Sequence, residues 1–290
     1  FDASSDDNLI KMHELERVEP KEVPKSIEEQ CPANLLLGPI GILVFIAKVI
    51  FAIVVRCKFS PRVYFPTVES PPPVRTSKTT VIELDKTLST ELLKKCKSNQ
   101  VGFTSTINAA MVDIADQMYK NRTGATSSVA VPVTITADLR RVLPQSGSWE
   151  DCRYLSSVLF TCSEPKSNIW DIARESQKVI RALLNPEYLI KFHQVQCVAS
   201  MFPTEKTYRM PFVYSNMGVL DHTFWQTKQF QMKLVFGCMS MQGVSNQIGI
   251  CSFTTDESLR VCLNYNNSLD QHYVEEFTKK MEQTLIELAA

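Results

Sequence analysis

The sequence lacks most of the short motifs that announce a chemistry. It holds no P-loop, no G-x-G-x-x-G, no G-x-S-x-G and no H-E-x-x-H. Those absences remove phosphate-cradling loops, dinucleotide fingerprints, serine-hydrolase elbows and zinc-protease helices from consideration. A charge excess of either sign is also missing, because 31 Lys and Arg balance 31 Asp and Glu. With no basic stripe interleaved with aromatics, nucleic-acid binding is excluded as a leading reading. The cysteines, Cys31, Cys57, Cys96, Cys152, Cys162, Cys197, Cys238, Cys251 and Cys262, are odd in number and never spaced C-x-x-C. That spread argues against a zinc site and a disulfide scaffold, and it fits a reducing compartment such as the cytoplasm. The two glycosylation triplets, at Asn121 and Asn266, read as unused for the same reason. His13, His193, His222 and His272 have no second histidine or carboxylate at metal-ligand spacing. No metal site is expected, and these residues alone make no complete active site.

What is present begins with a polar segment carrying a short helical pattern around Leu9 to Leu15. Pro20, Pro24 and Pro32 then mark a surface connection. Leu35 to Val55 follows, 21 positions with Lys48 as the sole charge. A helix of that length runs about 31 Å, comparable with the hydrocarbon thickness of a bilayer. Gly38, Pro39 and Gly41 weaken its first turns. Pro66 to Pro73, with three consecutive prolines, reads as a stiff linker and a boundary. Beyond it the pattern is regular α/β. Strands are expected at Val81–Leu84, Ser128–Thr136, Ser156–Thr161, Pro211–Asn216, Gln231–Met241, Gln247–Thr254 and Ser258–Asn264. Helices are expected from Ser89 (as cap) to Ser98, Thr104–Tyr119, Asn168–Leu184 and Asp270–Leu288.

Several segments resemble, in order, the motifs of one family. Phe1-Asp2-Ala3-Ser4-Ser5 is similar to the end of H-H-x-x-x-D-[GA]-x-S, and Pro24 to Glu29 to the P-P-S-x-E stretch after it. Gly102 to Ala110 resembles the G-x-T-x-x-A-x-L-x-A-A helix start, and Val131 to Arg140 the P-V-D-L-R strand. Val213 to Gly218 resembles the S-N-L-G strand, and Leu263-Asn264-Tyr265 the L-x-Y strand before a terminal helix. The set covers most of the chain and resembles the chloramphenicol-acetyltransferase-like superfamily of CoA-dependent acyltransferases. Alcohol acetyltransferases, phthiocerol/phthiodiolone dimycocerosyl transferases and peptide-synthetase condensation domains are the nearest groups. One departure is the D-F-G-W-G segment of condensation domains, of which Phe236-Gly237 remain, followed by Cys238-Met239.

The resemblance implies an α/β sandwich of two halves with a tunnel between them. This chain would hold the end of the N-terminal half (1–73) and the whole C-terminal half (74–290). The second histidine of the motif, a general base in the family, would lie four residues before Asp2, upstream of Phe1. The chain would then be an inactive fragment of the enzyme. Asp2 matches the structural aspartate of the motif. Arg140 matches the arginine of the D-L-R strand, as a site-organising cation; a solvated strand-end arginine beside Arg141 is the alternative. Ser215 and Asn216 would place hydrogen-bond donors near the tunnel, or else satisfy strand-end backbone. The implied reaction moves an acyl group from CoA or another thioester to an alcohol in preference to an amine. No cofactor is permanently bound; the acyl thioester is a co-substrate. The expected partners are a small-molecule or lipid-like donor and acceptor. A non-catalytic lipid- or partner-binding protein of the same fold is the alternative.

Within that fold, Leu35 to Val55 cannot cross a bilayer once without separating Asp2 from Arg140. An interfacial hairpin broken near Gly38-Pro39 is expected, its cations Arg56, Lys58 and Arg62 suiting the headgroups of an intracellular membrane. A buried or tunnel-lining helix and a true span are the alternatives.

Overall fold

The computed structural model describes residues 37–57, 65–68, 74, 76–138, 156–200, 210–220, 246–255 and 258–290. In chain order the elements are α1 (Pro39–Cys57), β1 (Ser77–Leu84), α2 (Lys86–Ser98), α3 (Phe103–Thr123), β2 (Val131–Asp138) and β3 (Ser156–Ser163). They continue as α4 (Ile169–Leu183), α5 (Pro186–Ser200), β4 (Met210–Val219), β5 (Asn246–Thr255), β6 (Ser258–Asn266) and α6 (Gln271–Ala289). The six strands form one sheet in the order β1-β6-β5-β4-β2-β3. Strands β2, β4 and β5 run parallel at its centre; β3 is antiparallel to β2 on one side, and on the other β6 is antiparallel to β5 and β1 is antiparallel to β6.

Alternation fixes which face of the sheet is packed. Val133 and Ile135 of β2, Phe212 and Tyr214 of β4, Ile248 and Ile250 of β5, and Val261 and Leu263 of β6 share the main core. Helices α2, α3, α4 and α6 supply the other side of that core, for example Leu92, Ile107, Met111, Ile172, Phe277 and Met281. The remaining sheet face carries a smaller cluster of Cys251, Phe253 and Cys262. Between α3, α4 and β3, buried Asn108 donates to Ser176 Oγ at 2.8 Å and accepts from Thr161 Oγ1 at 3.4 Å. Such satisfied polar links fix how the helices sit on the sheet without leaving a buried group unpaired.

The helix ends follow local chemistry. Asn168 and Asp270 cap α4 and α6, accepting from Trp170 N and from the amides of His272 and Tyr273. Gly124, at φ 69°, closes α3 in the left-handed conformation. One expectation is corrected. The cap of α2 is Asp85, which accepts from Leu88 N at 2.8 Å. Ser89 lies inside the helix, donating to Leu84 O and accepting from Leu259 N, so it ties α2 to the start of β6. The Asn185-Pro186 pair both ends α4 and starts α5: Asn185 Oδ1 accepts from Tyr188 N, and Pro186 occupies the first helical position.

The apolar run is also simpler than expected. The break anticipated near Gly38-Pro39 is a helix start, and α1 continues unbroken from Pro39 to Cys57. It packs on α5, with the Phe45 and Tyr188 ring centroids 5.7 Å apart and Leu37 N donating to Gln194 Oε1. Among the described residues no helix is long and apolar enough to cross a membrane. The strand expected at Gln231–Met241 lies outside the described residues.

Residues 65–68 return to the body of the sheet. Thr67 bridges Leu269, and Val68 N and Asp270 N bond Ser268 O and Pro66 O. Phe65 packs edge-on against Phe212, Tyr273 and Phe277, each with centroids 5.4 Å away. It therefore clamps this segment to β4 and α6. Replacing Phe65 with Ala is expected to cost about 3–5 kcal/mol, read as a lowered urea midpoint with an unchanged slope.

Candidate functional site at the carboxyl end of the central strands

Because β2, β4 and β5 are parallel, their carboxyl ends gather at one end of the sheet, where ligands of α/β proteins most often bind. Strand β4 ends there in Ser215-Asn216-Met217-Gly218. Gly218 adopts φ 75°, a conformation that a side chain would strain. The Asn216 carboxamide folds over this turn, accepting from Gly218 N at 2.9 Å. Its Nδ2 donates to Thr104 Oγ1 at 3.0 Å, 112 residues away in the first turn of α3.

That helix start is shaped by its neighbours. Gly102 is the N-cap and contributes no side-chain bond. Its amide donates to Gln177 Oε1, while Gln177 Nε2 donates to Gln100 O at 2.9 Å. One α4 side chain thus holds the loop before α3 from both sides. A Cβ on Gly102 would stand 3.3 Å from that same Oε1, so the close approach favours glycine.

Beneath the turn, the Tyr214 hydroxyl and Ser252 Oγ are 2.7 Å apart, and Ser252 Oγ donates onward to Asn216 Oδ1 at 3.5 Å. Both Tyr214 and Ser252 are fully enclosed. Burial pushes the Tyr214 hydroxyl well above the ordinary tyrosine range; the Ser252 bond partly opposes this, and repulsion from Cys251 and Cys96 as thiolates would add to it. The phenol is therefore a fixed neutral hydrogen-bonding group, and the chain Tyr214–Ser252–Asn216–Thr104 connects β4, β5 and α3.

Of the anticipated site residues, Ser215 and Asn216 are found here, at a sheet end and beside a helix start. Asn216 satisfies the strand-end turn, and its exposed carboxamide keeps a second amide hydrogen beyond the Thr104 bond. Asp2 and Arg140 lie outside the described residues. Among the described residues there is no group of His, Cys, Asp and Glu arranged to hold a metal. Thr104, Tyr214 and Ser252 were not among the anticipated residues. Thr104 lies within the Gly102–Ala110 motif, and Tyr214 directly precedes Ser215, yet nothing local signals their partnership. The structure also contains a buried arginine, Arg260, whose Nη2 lies 2.6 Å from Oε1 of half-exposed Glu83 across β6 and β1, on the face that carries Phe253.

The sequence matches no protein-family model and no curated protein. Solved structures do match. The TRI3 trichothecene 15-O-acetyltransferase of Fusarium sporotrichioides superposes with a TM-score of 0.62 at 12% identity, over 90% of this chain and 55% of its own. Polyketide synthase associated protein 5 of Mycobacterium tuberculosis gives 0.57 at 13% identity, over 86% of this chain and 61% of its own. The epimerization domain of tyrocidine synthetase B gives 0.57 at 10%, over 85% and 55%. The fold is that of the chloramphenicol-acetyltransferase-like acyltransferases and condensation domains. The chain spans little more than half the length of these proteins.

The buried phenol gives a pH signature. The unfolded chain releases a tyrosine proton near pH ~10, while the folded chain keeps the Tyr214 proton to higher pH. The contribution is complete below the unfolded value and is lost as pH rises through the folded one. Above pH ~10 stability should fall by up to about 1.4 kcal/mol per pH unit from this group. Tyr214→Phe is expected to flatten that decline, compared by urea midpoints at pH ~8 and pH ~11, at a cost of about 1 kcal/mol at neutral pH.

Proposed function

We propose that the full-length protein transfers an acyl group from CoA or another thioester to a hydroxyl acceptor. The observation that carries this reading is the acyltransferase-like fold, matched over 90% of the chain by TRI3, with the Ser215-Asn216-x-Gly218 turn set against the start of α3. Residues 74–290 are read as the C-terminal half of a two-half enzyme, and 1–73 as the end of the N-terminal half.

The chemistry follows from the donor. A thioester is already activated, so the enzyme's main task is moving one proton. A histidine four residues before Asp2 takes the hydroxyl proton as the acceptor oxygen attacks the thioester carbonyl. The tetrahedral intermediate then collapses, the carbon–sulfur bond breaks, and the histidine returns its proton to the departing thiolate. The products are an ester and a free thiol, and no permanently bound cofactor enters. Asp2 and Arg140 shape the histidine loop in this reading. The second amide hydrogen of Asn216 faces substrate in this reading, held in place by the Tyr214–Ser252 pair beneath, and Ser215, in register with Cys251, contributes from the other face of β4.

The test is thiol release from acetyl-CoA with a panel of alcohols. The protein extended through the segment preceding Phe1 is expected to turn over. Replacing the histidine four residues before Asp2 with Ala should lower kcat about 10²–10⁴-fold, and the 290-residue chain alone should release no thiol above buffer. Undiminished turnover by that chain would assign the base elsewhere. A preceding segment without the histidine pair, together with no turnover, would favour the binding-protein alternative.

A further inference from the structure

Helix α1 combines two properties that do not usually coexist at a water-facing surface. Over its 19 residues it contains no acidic side chain, and its charges are Lys48 and Arg56. A helix apolar on all sides is normally enclosed by protein or by lipid. Here one side is enclosed. Phe45 meets Tyr188, which stacks on Phe192 at 5.7 Å, so the helix lies along α5. The opposite side is open: Ile40 is 78% exposed, Leu43 67% and Val44 49%. These three sit at i, i+3 and i+4, so they form one continuous stripe, with exposed Lys48 one turn further on.

We propose that this stripe docks α1 flat on an anionic membrane surface. Charge complementarity selects that occupant. No acid lies between Glu29 and Glu69, while Lys48, Arg56, Lys58 and Arg62 fall in that interval. An exposed apolar stripe with Lys48 one turn further on, in a stretch of sequence free of acids, matches the interface of a negatively charged leaflet. Among the described residues no helix is long and apolar enough to cross a membrane, and the contact of α1 with α5 holds it against the protein body. It therefore lies in the interface plane, with Ile40, Leu43 and Val44 inserted among the acyl chains and Lys48 among the headgroups. The inference is independent of the acyl-transfer reading, since it needs no turnover.

Co-sedimentation of the 290-residue chain with vesicles tests it. The chain should pellet with phosphatidylcholine vesicles containing phosphatidylserine, less with pure phosphatidylcholine, and less again as salt is raised. Ile40→Asp with Leu43→Asp should reduce partitioning at least about tenfold while leaving the circular dichroism spectrum and urea midpoint unchanged, because both side chains are exposed. Lys48→Glu should weaken binding to the anionic vesicles alone. Three results would overturn the proposal: no pelleting with anionic vesicles, pelleting unaltered in the double variant, or a wild-type dimer that the double variant dissociates without any vesicle binding. The last would give the stripe to a second copy of the chain.

Discussion

Strand β4 imposes the constraint on which the rest depends. It is hydrogen-bonded to β2 on one edge and β5 on the other, parallel to both. Parallel neighbours cannot be joined by a hairpin and need a crossover. The chain therefore leaves β2, turns back as edge strand β3, and travels through α4 and α5 before β4 can form. Those helices must then cover the sheet, which explains why Ile172, Ala173, Leu189 and Ile190 are buried in the same core as Phe212 and Tyr214. The same parallel arrangement brings the carboxyl ends of three strands together. Core and candidate site are two consequences of one topology.

Much of the fold could be read from local pattern. The alternation in Val131–Asp138 and Ser258–Asn266, and the caps Asn168 and Asp270, need no distant information, and each element appears close to its expected bounds. Errors arose where one signal admitted two meanings. Asp85 and Ser89 are both plausible caps, and only the pairing of β6 with β1 decides between them by giving the Ser89 hydroxyl a partner in Leu259. Asn185-Pro186 reads equally as a stop and a start, and here it is both, ending α4 and beginning α5. At Pro39 a proline that breaks a helix when internal instead begins one.

The candidate site was legible to a different degree. Asn216 and Gly218 form a local turn, so a four-residue motif can mark it. Its support is non-local: Thr104 is 112 residues from Asn216, and Ser252 is 38 from Tyr214. Sequence order holds no information on those distances until the sheet order is known. Neighbours of 10–13% identity with the same fold make the converse point. Apolar volume at alternating positions is enough to keep a sheet and its helices, so overall identity can fall while the architecture persists.

Rigid support at the turn has a consequence for what Asn216 can contribute. Its carbonyl oxygen is engaged by Gly218 N and by Ser252, and one amide hydrogen by Thr104. A carboxamide held on three sides cannot rotate to exchange donor for acceptor without breaking all of these bonds. The remaining amide hydrogen is thus presented in a fixed direction at an exposed sheet end. In the proposed acyl transfer, a donor of that kind would stabilise an oxygen gaining negative charge without reorganising when the charge appears. Tyr214 reinforces it from below, because a phenol enclosed in the core stays neutral and keeps Ser252 oriented throughout the physiological pH range. The polar groups that look structural beneath the turn are therefore what would make its one outward-facing donor precise.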